Sequence, residues 1–202
     1  MVYLIGASGH AKVIIEILED LDIKVGGLLD SNPEIKTLLD YKVYEGLPVS
    51  FNPNEDKLII SIGNNAIRKR LASSSIHKFI SVRHINTSIS KRSTIGEGTV
   101  IMAGVSMNSS CNIGNHVIIN TNASIDHDCI LENYVHISPN AALAGNVQIG
   151  EGTHVGIGAC IIQGIKIGRW CTIGAGAVII HDVPDGATVI GNPGRIIKMG
   201  KI

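Results

Sequence analysis

From Ile89 to Pro184 the chain divides into sixteen consecutive six-residue units without an insertion, running from ISKRST and IGEGTV to IGAGAV and IIHDVP. Every unit begins with Ile, Leu, Val or Met, and every fifth position is Ser, Thr, Val, Ala, Cys or Ile. A period of six matches neither a helix face nor simple strand alternation. It fits a coil of short parallel strands in which three units close one triangular turn of 18 residues. The first residue of each unit then fills the prism, and the small fifth residue points inward beside a corner. Gly, Asn and Asp between them take the corner dihedrals. Coils stack at about 4.8 Å, the ordinary strand spacing, and sixteen units make a little over five coils.

Composition agrees with such a core. Aromatic residues are only 3% of the chain, whereas glycine reaches 23 residues. Basic and acidic side chains balance at 17 each, which removes the electrostatic case for nucleic acid or an anionic membrane. Mean hydropathy is high at +0.27, yet no uninterrupted apolar run approaches the roughly 18 residues of a spanning helix. The N-terminus, MVYLIGASGHAK, has no basic region ahead of an apolar stretch and does not read as a signal peptide. Cys111, Cys129, Cys160 and Cys171 show neither zinc spacing nor a CxxC pair. A cytoplasmic location, free thiols and no metal are expected.

Residues 1–85 have another rhythm. VYLI (2–5), KVGGLLD (24–30), KLIISIG (57–63) and KFISVRH (78–84) read as strands. HAKVIIEILED (10–20) and NNAIRKRLA (64–72) read as helices, and 31–56 as mostly loop. Alternating strands and helices predict a small Rossmann-like α/β domain over 1–85, followed by the coil over 86–202. GASGH is a strand-to-helix turn whose N–H groups would face an anion. Asp30, at the tip of the second strand, sits where an acid meets a ribose in dinucleotide-binding proteins.

One unit breaks the aliphatic monotony. In IDHDCI, Ile125 and Cys129 point inward, so His127 and Asp128 fall at a corner and face out. An acid on either side can fix the imidazole tautomer and raise its basicity. Counting 18 residues forward puts Gly145 directly above His127. That leaves room for an acyl thioester and a backbone N–H for its oxyanion. His136 and His154 have the same spacing and can stack, but no third ligand accompanies them. Cys111 and Cys129 share that spacing too, at inward positions. His84 reads as a junction residue, and His116 and His181 as corner or surface residues.

The hexads, GASGH, the strand ending IGNN with Arg68 shortly after, and the His-Asp unit together resemble the hexapeptide-repeat sugar acyltransferases. The resemblance is to the subgroup of sialic acid O-acetyltransferases and UDP-4-amino-sugar or GDP-perosamine N-acetyltransferases, and it covers essentially the full chain. It implies a left-handed parallel β-helix and a homotrimer with acyl-CoA between neighbouring prisms. It also implies catalysis by His127 with Asp128. Ser8, Gly9 and His10 match the family's phosphate-contacting turn, Asp30 its nucleoside-binding acid, and Gly63, Asn64 and Asn65 its substrate loop. Contacts to acetyl-CoA carry over to Asn120, His136, Gly145, Ile157 and Ala175. The tail IGNPGR resembles the family's GxPA(K/R) ending, with Gly194 replacing alanine and Arg195 near the cofactor's far end. Some UDP-sugar members carry a second acid after the Asp30 position, where this chain has Ser31.

The expected activity is acetyl transfer from acetyl-CoA to the amino group of a nucleotide-linked amino sugar, in surface polysaccharide or glycan biosynthesis. O-acetylation of a sialic acid or related sugar is the alternative in chemistry. A nucleotide-binding regulatory protein trimerised by its β-helix is the alternative of another class, and it leaves His127, Asp128 and Gly145 without a role.

Overall fold

The computed structural model describes residues 1–200, so the last two residues of the expected second domain lie outside the described ones. Three apolar runs form the centre of the N-terminal sheet: β1 (Val2–Ile5), β2 (Val25–Leu29) and β5 (Lys57–Ile60), with β1 parallel to both others. Such runs suit a parallel sheet because helices or loops cover both faces. Helix α1 (Gly9–Asp20) follows the glycine turn and buries Ala11, Ile14, Ile15, Ile17 and Leu18, the apolar stripe of an amphipathic helix. Gly6 enters the turn at φ +111, and a Cβ there would lie 2.7 Å from Ile62. Only glycine fits both demands.

The segment 31–56 is more than a loop. It contains β3 (Thr37–Leu38) and β4 (Tyr41–Tyr44), and the sheet order is β3-β4-β2-β1-β5. YKVY puts only Val43 in the core, too little apolar periodicity to stand out among the prolines around it. Helix α2 (Asn65–Ser74) is capped by the Asn64 side chain, which accepts the Ile67 N–H at 3.0 Å. The expected fourth strand over 78–84 divides. Phe79 makes one parallel bridge to Leu58, whereas β6 (Val82–Arg83) pairs with residues 100–101 and becomes the first rung of the coil.

Beyond β6 the chain is a three-faced prism. Each face is a ladder of two-residue strands, so each six-residue unit is one short strand plus a corner. The first face runs through Ser88, Ser106, Ser124, Ala142, Cys160 and Val178, the second through Thr94, Asn112, Ile130, Gln148 and Lys166, and the third through Val82, Val100, Ile118, His136, His154 and Thr172. Ser106 pairs with Ser124 and Ser124 with Ala142, so successive rungs are 18 residues apart. From Ile101 onward, first-position residues such as Met107, Ile125 and Leu143 are buried, as are fifth-position residues such as Val105, Ala123 and Cys129. Fourth positions turn the corners in the left-handed region, held by Gly or by residues such as Asn122, Asp128 and Asn146. Residues 187–190 and 195–199 close the third face as an antiparallel hairpin.

The N-terminal domain packs on the lower third face: Val82, Val100, Met102 and Ile118 share one apolar cluster with α1. The edge between the first and second faces lies across the prism from it.

Candidate active site

His127 stands on that far edge. Its carbon neighbours in the chain, Ile125 and Cys129, anchor the corner from inside, and the imidazole is 58% exposed. Nδ1–H donates to Asp128 Oδ2 at 2.7 Å, which leaves the Nε2 lone pair as the base. Asp128 adopts φ +61, a conformation that Asp tolerates better than most residues. The imidazole is held above its ordinary 6.5, first by the bond to Asp128 and then by the charge of Asp126. Asp126 itself accepts Asn108 Nδ2 at 2.6 Å and the His127 N–H at 2.8 Å, so it braces the corner. Those bonds hold its carboxyl below the usual carboxylate range.

Gly145 lies over the ring. A Cβ there would come within 2.6 Å of Cε1 and 2.8 Å of Nε2, so only a glycine leaves the imidazole in place. The Gly145 N–H has no backbone or side-chain acceptor among the described residues. A cleft of about 460 Å³ on the first face adjoins this edge, lined by Ser124, Asp126, Ala144 and Cys160 among others.

The residues expected to hold the acceptor collect elsewhere. Gly9 and Gly63 both face open space, with nothing within 4 Å of a built Cβ, and Ser8 is exposed without a side-chain capping bond. The Asp30 carboxylate accepts the Ala7 N–H at 2.9 Å and the Asn32 N–H at 2.9 Å, so it organises the glycine turn. It also borders a cleft of about 390 Å³ at the ends of β1, β2 and β5, with Ser31, Glu45 and Arg70. His10 turns toward the prism. Burial and the nearby Arg68 charge push it down to about 4, and its Nε2 finds no partner among the described residues. It is therefore a neutral imidazole at neutral pH. Gly63, Asn64 and Asn65 line a second cleft of about 230 Å³ with His154 and Trp170.

The expected acetyl-CoA residues do not form one cluster within a chain. Asn120, Ile157 and Ala175 lie along the edge between the third and first faces, and the Gly176 N–H donates to the Ile157 carbonyl at 2.8 Å. His136 sits beside them, 3.3 Å from Asn120 and stacked on His154 at 4.8 Å. Burial, then the His154, Arg68 and His10 charges, push His136 down to about 3. Gly145 alone shares the edge of His127. No group of three potential metal ligands occurs among the described residues, and no helix there is long and apolar enough to cross a membrane.

Sequence reading missed two residues. His116, expected at a corner or the surface, does turn a corner at φ +54 but is buried, with Phe79 at 4.7 Å and Tyr134 at 5.5 Å; Phe79 arrives from outside the repeats, and no local pattern signals that. Arg68, one of three consecutive cations, is buried as well.

Comparison with known proteins places this geometry. Residues 1–75 match the PglD N-terminal domain, and 146–181 match the bacterial transferase hexapeptide (six repeats). A perosamine N-acetyltransferase variant from Caulobacter crescentus, in complex with CoA and GDP-perosamine, superposes with a TM-score of 0.90 at 34% identity, covering 98% of this chain and 96% of that one. The chain belongs to the hexapeptide-repeat sugar N-acetyltransferases. A second family member, the acetyltransferase domain of PglB from Neisseria gonorrhoeae, gives a TM-score of 0.92 at 36% identity, covering 97% of this chain and 98% of that one. It is also known in complex with acetyl coenzyme A. UDP-N-acetylbacillosamine N-acetyltransferase of Bacillus subtilis is 40% identical over 112 residues, half of this chain and 51% of that protein. The full-length superpositions make the prism a left-handed β-helix.

Proposed function

We propose that this chain transfers an acetyl group from acetyl-CoA to the amino group of a nucleotide-linked amino sugar. The carrying observation is the 2.7 Å His127–Asp128 pair beneath Gly145 on an exposed edge. His127 Nε2 accepts the proton of the attacking amine, and Asp128 keeps Nδ1 protonated and the ring oriented. The Gly145 N–H is the donor for the thioester oxygen as it gathers negative charge. Acetyl-CoA supplies the acyl group. Its C–S bond breaks as the tetrahedral intermediate collapses, and the CoA thiolate leaves and takes up the proton held by His127. Nothing requires a covalent acyl-enzyme.

Residues 1–85 would hold the nucleotide sugar, at the glycine turn and the 63–65 loop, and residues 86–202 would carry acyl transfer. Those acceptor residues and His127 lie on opposite sides of one prism. A homotrimer resolves the separation, since the edge of one subunit can meet the third face of its neighbour, with the Asn120–Ala175 edge and His136 completing the thioester site.

Thiol release from acetyl-CoA, measured against UDP-, GDP- and dTDP-amino sugars and sialic acid, tests the reading. Amino sugars should support turnover, and His127→Asn should lower it by about two to four orders of magnitude with an unchanged fold. An unaffected rate would remove His127 from catalysis. Mixing His127→Asn with Gly63→Trp subunits should restore part of the activity in mixed trimers. No restoration would place both halves of the site in one subunit.

A further inference from the structure

Helix α2 reads as a solvated helix, with Arg68, Lys69 and Arg70 in succession, yet the one residue it buries is Arg68. The side chain is 1% exposed, and no carboxylate pairs with it among the described residues. Burial pulls the guanidinium down to about 10, so it stays charged at neutral pH. A buried charge without a counter-ion is costly unless dipoles surround it, and here they do. Nε donates to the His116 carbonyl at 2.8 Å. Nη1 donates to the carbonyls of Ile62 and Gly63, both at 3.1 Å. Nη2 donates to Asn65 Oδ1 at 2.8 Å and to the Tyr134 carbonyl at 2.8 Å. All five N–H groups of the fork are engaged.

The pattern of acceptors is specific. Two carbonyls and one side chain belong to the loop 62–65. The others belong to the edge between the second and third faces, at residues 116 and 134, one coil apart. Asn65, oriented by Arg68, extends the grip by another coil: its Nδ2 donates to the Gly152 carbonyl at 2.9 Å. One guanidinium and one amide thus fix the loop to three successive coils, beside stacked His136 and His154. Lys69, paired with Glu151 at the surface, adds an outer tie.

We infer that Arg68 is the positioning residue for acceptor binding: without touching substrate, it sets the height and tilt of Gly63, Asn64 and Asn65 against the prism. A simple clamp between two domains needs no saturated fork aimed at the open backbone of Gly63, and an apolar side chain would serve it. The inference rests on the reading of 63–65 as the acceptor loop.

Steady-state kinetics on Arg68→Lys, Arg68→Met and Asn65→Ala, with the full-length protein, separates the alternatives. Arg68→Met should raise the KM for the nucleotide amino sugar by about ten- to a hundredfold, with the KM for acetyl-CoA within about twofold. Arg68→Lys keeps the charge but loses the planar fork, and should recover only part of the acceptor KM. Asn65→Ala should raise the same constant, and the Arg68→Met/Asn65→Ala pair should be no worse than Arg68→Met alone, because the two act as a unit. A purely structural role would lower the thermal midpoint and the fraction of active enzyme while leaving acceptor KM unchanged, and that result overturns the inference. If Arg68→Met does not fold, Arg68→Lys decides the same question by the same constant. A wild-type protein that acetylates no nucleotide amino sugar would instead refute the function proposed above, which keeps the two failures apart.

Discussion

Replacing Asp128 by Asn isolates what the acid does for His127. Asn tolerates the left-handed conformation at φ +61, so the corner should survive. Its amide oxygen can still accept Nδ1–H at the 2.7 Å geometry, but the negative charge is gone. The imidazole is raised above 6.5 first by that bond, so the acidic limb of the variant's rate profile should move to lower pH. Because the side chains of the pair are 58% and 59% exposed, solvent screens the charge. The loss should therefore be about ten- to a hundredfold, not the roughly 10⁴ seen when a buried triad acid is neutralised. The sign of the pH effect follows. At high pH both enzymes carry a free Nε2, and their ratio reports lost orientation and basicity. As pH falls, wild-type His127 protonates first, so the ratio of wild-type to variant rate narrows. Thiol-release rates between about pH 6 and 9, with circular dichroism as the fold control, check this. A midpoint that stays put or moves upward would refute the role given to Asp128.

Gly145→Ala should cost about a hundredfold in kcat with little change in thermal midpoint, because the added methyl displaces the exposed ring whose Cε1 would lie 2.6 Å away. Stability should fall as pH drops from 6.5 toward about 4. His10 and His116 are both pushed down to about 4 by burial, so the unfolded chain binds more protons in that window. A thermal midpoint that is flat across that range would contradict their burial as neutral imidazoles. His116→Ala should destabilise the protein by about 2 kcal/mol, measured by chemical denaturation, since it empties the space between Phe79 and Tyr134. Acetyl-CoA should raise the thermal midpoint of wild type and of His127→Asn alike, because the base is assigned to chemistry and not to cofactor affinity.

The coil was legible because its constraint is strictly periodic: each first residue must fill a prism of constant width, so Ile89 to Ile179 announce themselves. The same counting sets Gly145 over His127, since an 18-residue register needs no knowledge of loops. Position along the prism axis was readable; position around it was less so. Nothing local told that α1 would cover the third face, and hence that Gly9 and Asp30 would lie across the prism from His127. Arg68 was hidden for a related reason. A cation between Lys69 and Ile67 on a short polar helix looks solvated, and only the arrival of the His116 and Tyr134 carbonyls from the coil makes it a buried hub. The strand at Tyr41–Tyr44 escaped because it offers one core residue, Val43, where strand recognition needs a repeat.

Two-residue rungs repeating every 18 positions turn the column into a ruler. Arg68 docks the loop at the storeys of residues 116 and 134, and His127 belongs to the turn of chain between them. Subunits assembled side by side on parallel axes would bring each loop level with a neighbour's imidazole by counting alone. Insertion between positions 116 and 127 of one 18-residue coil that repeats the hexad pattern, and so keeps a carbonyl for Arg68 one storey above residue 116, would lift the base by one storey of about 4.8 Å. A misplacement of about 1 Å can already cost about a hundredfold, so such a protein would be intact and silent.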